Sequence, residues 1–327
     1  IDLRSIKPID FETIINSVNK INIDIIYNIK PHPALDINAV VNYFDKNLPS
    51  YFHIIDGDFI KVASSKCDAK IFLQGGQITE FIPKNNKPLI WVSKNETFQE
   101  GVSIRGGIPI CWPWFGNHEN QDWPAHGFAR TSLWQADAVH EDDEHITISL
   151  NLPMKLVNPT YWPHQSALKV EFVLSEQLQV RLTTTNLSNS PFSYTQALHS
   201  YFPTSDIKHT HVEGLQGAQY IEFGEGPFAQ NAPVEFTRET DMVYTQAAKQ
   251  QHIHTPDGII NVSRENSSSC VLWNPWIEKS KRLSNFADDE YLSMVCLEAA
   301  NVLEDNVTLE PKQSHTLVTT ISWANSQ

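Results

Sequence analysis

Leu168-Lys-Val-Glu-Phe-Val-Leu174 and Gln179-Val-Arg-Leu-Thr-Thr-Thr185 decide the fold. Apolar or β-branched residues recur at every second position in both runs. Successive side chains on a strand point to opposite faces, so this period gives each run one face for a core and one for water. The same texture extends in both directions along the chain. Phe59-Ile-Lys-Val-Ala63, Lys70-Ile-Phe-Leu73, Gln77-Ile-Thr-Glu-Phe-Ile82 and His145-Ile-Thr-Ile-Ser-Leu-Asn-Leu152 read as strands. So do Gly258-Ile-Ile-Asn-Val262, Ser269-Cys-Val-Leu-Trp273 and His315-Thr-Leu-Val-Thr-Thr-Ile-Ser-Trp323. Turn signals separate them at Gly75-Gly76, Lys84-Asn-Asn-Lys-Pro88, Asn189-Ser-Pro191 and Pro256-Asp-Gly258. Many short strands with few helices imply stacked antiparallel sheets, an all-β sandwich over residues 49–327.

Residues 1–48 differ. They contain no glycine and are rich in Ile, Asn, Asp and Lys. Asp10-Phe-Glu-Thr-Ile-Ile-Asn-Ser-Val18 and Leu35-Asp-Ile-Asn-Ala-Val-Val-Asn-Tyr-Phe44 place apolar residues at helical spacing. A helical N-terminal extension is expected there.

The whole chain has 327 residues, 41% of them apolar and 10% aromatic, which suits a globular protein with a real core. Its 24 basic and 38 acidic residues give a net charge of −14. That field repels nucleic acid and anionic membranes at long range, so neither is expected as a partner. It does not exclude a small anion in a local arginine pocket. Cys67, Cys111, Cys270 and Cys296 form no C-x-x-C pair and sit in apolar runs, so they are expected to be buried free thiols. No apolar run reaches the roughly 18 residues that span a bilayer, and the first residues are too polar for a signal peptide. A cytoplasmic protein, a monomer or a weak homo-oligomer, is expected.

The densest chemistry lies in Ser103-Ile-Arg-Gly-Gly-Ile-Pro-Ile-Cys-Trp-Pro-Trp-Phe-Gly116 and Pro124-Ala-His-Gly-Phe-Ala-Arg130. Arg105 and Arg130 are suited to grip a phosphate or carboxylate through paired hydrogen bonds, although each could instead pair with a structural carboxylate. Gly106, Gly107 and Gly127 suggest close backbone approach to a ligand. His126 could transfer a proton, donate a hydrogen bond or simply pack. His199, in Tyr194-Thr-Gln-Ala-Leu-His-Ser-Tyr-Phe202, shares a strand face with Ala197 and Tyr201, and reads equally as a general acid or a packed ring. Glu298 is the one carboxylate in Leu292-Ser-Met-Val-Cys-Leu-Glu-Ala-Ala-Asn301. An unpaired charge there would cost several kcal/mol, so its presence calls for a partner or a function. The i, i+2 pairs His209/His211 and His252/His254 show no third ligand in a recognisable motif, and no metal site is expected. Neither G-x-S-x-G nor a P-loop occurs.

Taken together and in order, Ile104-Arg-Gly-Gly-Ile-Pro109, Trp112-Pro-Trp-Phe-Gly116, His126-Gly-Phe-Ala-Arg130, Ala197-Leu-His199, Trp273-Asn-Pro-Trp276 and Met294-Val-Cys-Leu-Glu298 make the chain resemble the D-hexose-6-phosphate mutarotases of the aldose 1-epimerase superfamily. The resemblance covers about residues 50–323. It implies a galactose-mutarotase-like β-supersandwich and cofactor-free interconversion of the α and β anomers of a hexose 6-phosphate. By the same resemblance Glu298 is the general base, His199 the general acid, Arg105 and Arg130 the phosphate holders, and His126 a residue that orients the sugar. Asp241, in Glu239-Thr-Asp-Met-Val-Tyr244, matches an aspartate that binds sugar hydroxyls. The chain departs from the family pattern at Met242, Asn285 and Pro311-Lys312. The alternative from another class is a non-catalytic sugar-phosphate-binding protein on the same scaffold. The presence of both His199 and Glu298 favours the enzyme.

Overall fold

The computed structural model describes residues 52–55 and 59–324, and the expected helical extension over 1–48 lies outside them. The described part is built almost wholly from antiparallel strands, with one α-helix, Trp276–Ser280, among the described residues.

Two large sheets carry the molecule. The first has nine strands in the order Val234–Glu235, His211–Glu213, Gln250–Thr255, Gly258–Glu265, Ser314–Trp323, Leu178–Asn186, Ser166–Leu174, Ile146–Leu152 and Gln135–Glu141. The second runs Glu225–Ala229, Gln219–Glu222, Thr240–Thr245, Ser269–Asn274, Met294–Asn301, Gln196–Leu198 and Ile110–Cys111, with Tyr201–Pro203 also paired to Met294–Asn301. A four-stranded sheet, Phe52–Ile55 through Gln77–Pro83, and a two-stranded ribbon of Phe192–Tyr194 with Val307–Leu309 complete the architecture.

The alternation in the sequence becomes the core. Leu178, Val180 and Leu182 point inward while Arg181 on the same strand faces water. The inner side of the nine-stranded sheet, with Ile260, Val262, Leu317 and Ile321, joins Met242, Leu272 and Leu297 of the second sheet in one continuous cluster. Ser269–Asn274 and Met294–Asn301 are buried at every position. A strand covered on both faces needs no polar side, which is why these stretches read as nearly continuous apolar runs rather than alternating ones. All four cysteines are free and buried.

The glycines beside the two arginines have a different role from the expected one. A Cβ on Gly106 would lie 2.4 Å from the Val92 Cα, and one on Gly127 2.0 Å from the Trp112 carbonyl oxygen. Their φ values are +122° and +73°. These glycines let loop backbones pack on one another beside the two arginines.

Leu317 is completely buried between the large sheets. Leu317→Ala is expected to lower unfolding free energy by about 2–5 kcal/mol. Urea denaturation measures it, and an unchanged midpoint would contradict the two-sheet core.

Candidate active site

The site begins with strand register. Leu198 pairs with Ala299 and Tyr201 with Cys296 across the same two chain segments. Counting inward from either pair sets His199 directly opposite Glu298. Directly opposed residues of antiparallel strands project from the same face. The His199 Nε2 accordingly lies 3.3 Å from the Glu298 Oε1. Between the two short strands the usual ladder gives way. The His199 amide donates to the Pro109 carbonyl, which ties this segment to the neighbouring loop.

The rest of that sheet face follows from the same register. Asp241, Trp273 and Cys296 form one cross-strand row with Tyr201, and Val243, Val271 and Glu298 form the next with His199. Cys111, Ala197, Val271 and Ala300 cover the floor as a small separate apolar cluster. Leu272 and Leu297, on the opposite face, belong to the main core. One sheet thus has a packing face and a face with a carboxylate and an imidazole at its centre.

Aromatic rings fix the imidazole. His199 stacks on Tyr201 with centroids 4.9 Å apart and planes 13° from parallel. Trp91 stacks behind Tyr201 at 5.8 Å, and Trp273 meets His199 edge-on at 5.9 Å. Two atoms at the centre remain without a hydrogen bond to the protein, the His199 Nδ1 and the Glu298 Oε2. A buried polar atom left unpaired is costly and rare, and such atoms mark places where something other than stability sets the structure.

The electrostatics are dominated by burial. Burial pushes the Glu298 carboxyl well above the usual carboxylate range, with Asp241 adding to the rise and Arg130 opposing it. Burial likewise holds the His199 imidazole well below its ordinary value, helped by His126, Arg130 and Arg105. Each group alone is biased toward neutrality. Their contact therefore joins two groups whose charged forms burial disfavours.

The predicted residues converge around this pair. His126 lies beside His199, ring centroids 6.1 Å apart. Its Nδ1 accepts the Gly116 amide at 3.3 Å, so the proton of the neutral ring sits on Nε2. Burial first, then Arg130, Arg105 and Lys279, lower this ring from 6.5 to about 3. Arg130 donates from Nη2 to the Ala125 carbonyl at 2.7 Å, while its buried Nε has no partner. Arg105 directs its Nε to the Ser284 carbonyl at 3.4 Å and its guanidinium to the Tyr201 hydroxyl. Neither arginine forms an ion pair with a carboxylate among the described residues. Glu96 does approach Arg105, but it takes the backbone amide of that residue, at 2.5 Å. Thus the alternative of structural pairing, left open for both arginines by the sequence, finds no support among the described residues.

Asp241 stands on the same face, and burial raises its carboxyl while Lys279 opposes the rise. The Lys279 Nζ is 3.6 Å from the Asp241 Oδ2 and 3.2 Å from the Glu239 Oε1. It also lies 5.7 Å from the centroid of the Trp273 ring. Sequence reasoning missed Lys279, because Trp276-Ile-Glu-Lys-Ser280 has no feature that separates it from an ordinary surface helix. Asn285, where the family pattern has Asp, donates to the Glu96 Oε1 at 3.3 Å and so helps hold the Arg105 loop.

The site is thus a sheet face with a buried carboxylate and imidazole at its centre, ringed by cations and aromatic edges. The family model "Aldose 1-epimerase" matches residues 58–322. A protein of Salmonella typhimurium named "Putative glucose-6-phosphate 1-epimerase" is 33% identical over 79% of this chain and 88% of its own length. One from Cenchrus ciliaris with the same name is 35% identical over 75% and 78%. The crystal structure of "a putative mutarotase" from Salmonella typhimurium superposes with a TM-score of 0.78 at 30% identity, covering 85% of this chain and 95% of that one. A galactose mutarotase-like protein from Lactobacillus casei, at 16% identity and a TM-score of 0.61, shares the fold; the alignment covers 81% of this chain and all of that one. The chain belongs to the aldose 1-epimerase family, isomerases that interconvert sugar anomers.

The low value of His126 gives a pH test. Its ring should remain neutral and Nε2-protonated from pH 5 to 8, while an unfolded chain takes up that proton near 6.5. Folding stability contributed by this ring therefore decreases as pH falls below about 6.5. Imidazole nitrogen NMR shifts report the tautomer, and a titration step near 6.5 assigned to His126 would contradict the assignment.

Proposed function

We propose that the protein interconverts the α and β anomers of a hexose 6-phosphate, glucose 6-phosphate being the first candidate, by general acid/base ring opening. The observation that carries this reading is the pair of guanidinium groups with no carboxylate partner among the described residues, beside the His199–Glu298 floor, in a chain of net charge −14. In so acidic a protein, arginines without a carboxylate ion pair favour an anionic group on the substrate. The names of the Salmonella and Cenchrus relatives support the same substrate class.

In this mechanism Glu298 takes the proton of the anomeric hydroxyl as the C1–O5 bond breaks. The bonding pair goes to O5, which receives a proton from His199. The open-chain aldehyde turns about C1–C2 and presents its other face. O5 then attacks C1, His199 takes back the proton from O5, and Glu298 returns its proton to O1. Protons and electrons balance over the cycle, and no external reductant or oxidant enters. Arg130 offsets part of the cost of the Glu298 charge. His126 donates from Nε2 to a sugar oxygen, Asp241 accepts from a sugar hydroxyl, and Arg105 and Arg130 hold the phosphate.

Positioned proton transfer contributes about 10²–10⁴-fold per group. Glu298→Gln and His199→Ala should each slow anomer exchange of glucose 6-phosphate by that order. Saturation-transfer NMR between the anomeric protons measures the rate, and variant rates equal to wild type would refute the acid/base assignment. Arg105→Ala should raise KM for glucose 6-phosphate about tenfold or more while changing exchange of free glucose little, since an ionic hydrogen bond contributes about 1.5–3 kcal/mol. An unchanged preference for the phosphorylated sugar would remove Arg105 from that role.

A further inference from the structure

We propose that His211, Glu213 and His254 form a binding site for a divalent transition-metal ion on the outward face of the nine-stranded sheet, apart from the sugar site. The His211–Glu213 strand pairs with Gln250–Thr255 so that His211 faces His254 and Glu213 faces His252. Val212 and Ile253, between them in sequence, are completely buried. Alternation therefore sends His211, Glu213, His252 and His254 outward together.

Three of these side chains converge. The His211 and His254 rings lie parallel within 8°, centroids 4.5 Å apart. Both turn Nε2 to one carboxylate: the His254 Nε2 is 3.2 Å from the Glu213 Oε2, and the His211 Nε2 is 3.8 Å from the Glu213 Oε1. All three ligand atoms fall within 4.8 Å of one another. Both contacts are at ion-pair distance, charged only if the rings are protonated, and neither is a well-formed hydrogen bond. The 3.8 Å separation is too long for a hydrogen bond, and the buried His254 Nε2 makes none. The fourth side chain is committed elsewhere, with the His252 Nδ1 2.7 Å from the Asn261 Oδ1.

The spacing suits a metal. Zinc bonds of about 2.0–2.2 Å to nitrogen and oxygen place neighbouring ligand atoms of a tetrahedron about 3.3–3.6 Å apart. The His254–Glu213 separation of 3.2 Å and the His211–Glu213 separation of 3.8 Å bracket that range. Two imidazoles and one carboxylate favour Zn²⁺, Ni²⁺ or Cu²⁺ over Mg²⁺ or Ca²⁺, which prefer oxygen ligands. The sequence shows only the two i, i+2 histidine pairs. The register contributes one ring from each pair and the intervening carboxylate. Bound there, an ion ties adjacent strands next to the two-residue edge strand Val234–Glu235. Its effect is on the stability of the folded chain, independent of the sugar chemistry.

The test is calorimetric titration of ZnCl₂ alone into the full chain, without a histidine tag, stripped with EDTA and dialysed. Wild type is expected to take up one ion per chain and to show a higher melting temperature with zinc. His254→Ala and Glu213→Gln are each expected to weaken uptake at least about tenfold, since loss of even an outer-shell partner of a ligand costs about 10–100-fold. Both variants change outward-facing side chains, and unchanged anomer-exchange rates confirm that they are folded. Absence of saturable uptake by wild type, or wild-type affinity in both variants, overturns the proposal.

Discussion

A carboxylate in the middle of a fully covered β-strand is the constraint around which this molecule is organised. Burial of Glu298 as an unpaired charge would cost several kcal/mol, so burial drives the carboxyl toward its neutral form and favours a polar neighbour. The neighbour is His199, set opposite by the antiparallel register at 3.3 Å. A slip of one residue in either strand would send one of the two groups to the other face and into the apolar core. The pairing pattern therefore fixes the chemistry more tightly than any single side chain does.

Around that pair, packing and polar contacts are arranged in layers. The ring of His199 is held by Tyr201 and Trp273, and Tyr201 in turn by Trp91. His126 is kept in one tautomer by the Gly116 amide. Arg105 is located through its backbone by Glu96, which accepts from its amide. Gly106 and Gly127 allow the loops beneath to touch. Each supporting contact acts on orientation or on charge, and together they hold polar groups where the protein itself leaves hydrogen-bonding capacity unused.

Much of the fold was legible in the chain. The long alternating strands, such as Leu178–Asn186 and Ser314–Trp323, appear close to where periodicity puts them. Shorter or more polar strands were not. Glu225–Ala229 is exposed throughout and contains proline, and His211–Glu213 is three residues long, so neither builds a detectable period. Thr240–Thr245, which carries Asp241, was named only for its aspartate. Glu298 and the arginine loops were legible because a lone carboxylate in an apolar run and arginines among glycines break local expectation. Lys279 was not, since a lysine on a short exposed helix breaks none.

By itself the sequence determined that this chain must bury alternating apolar faces in antiparallel sheets. It also determined that one glutamate would need an exceptional setting, because periodicity and the cost of burying a charge act locally on the residues that carry them. Family resemblance selected the same residues for the site. Only the tertiary structure decided that His199 is the partner of Glu298, that Lys279 attends Asp241, and that histidines from two separate strands meet over Glu213. Those meetings depend on register and on loop closure between distant segments, and no local property of the chain encodes the distance between two residues that the fold brings together.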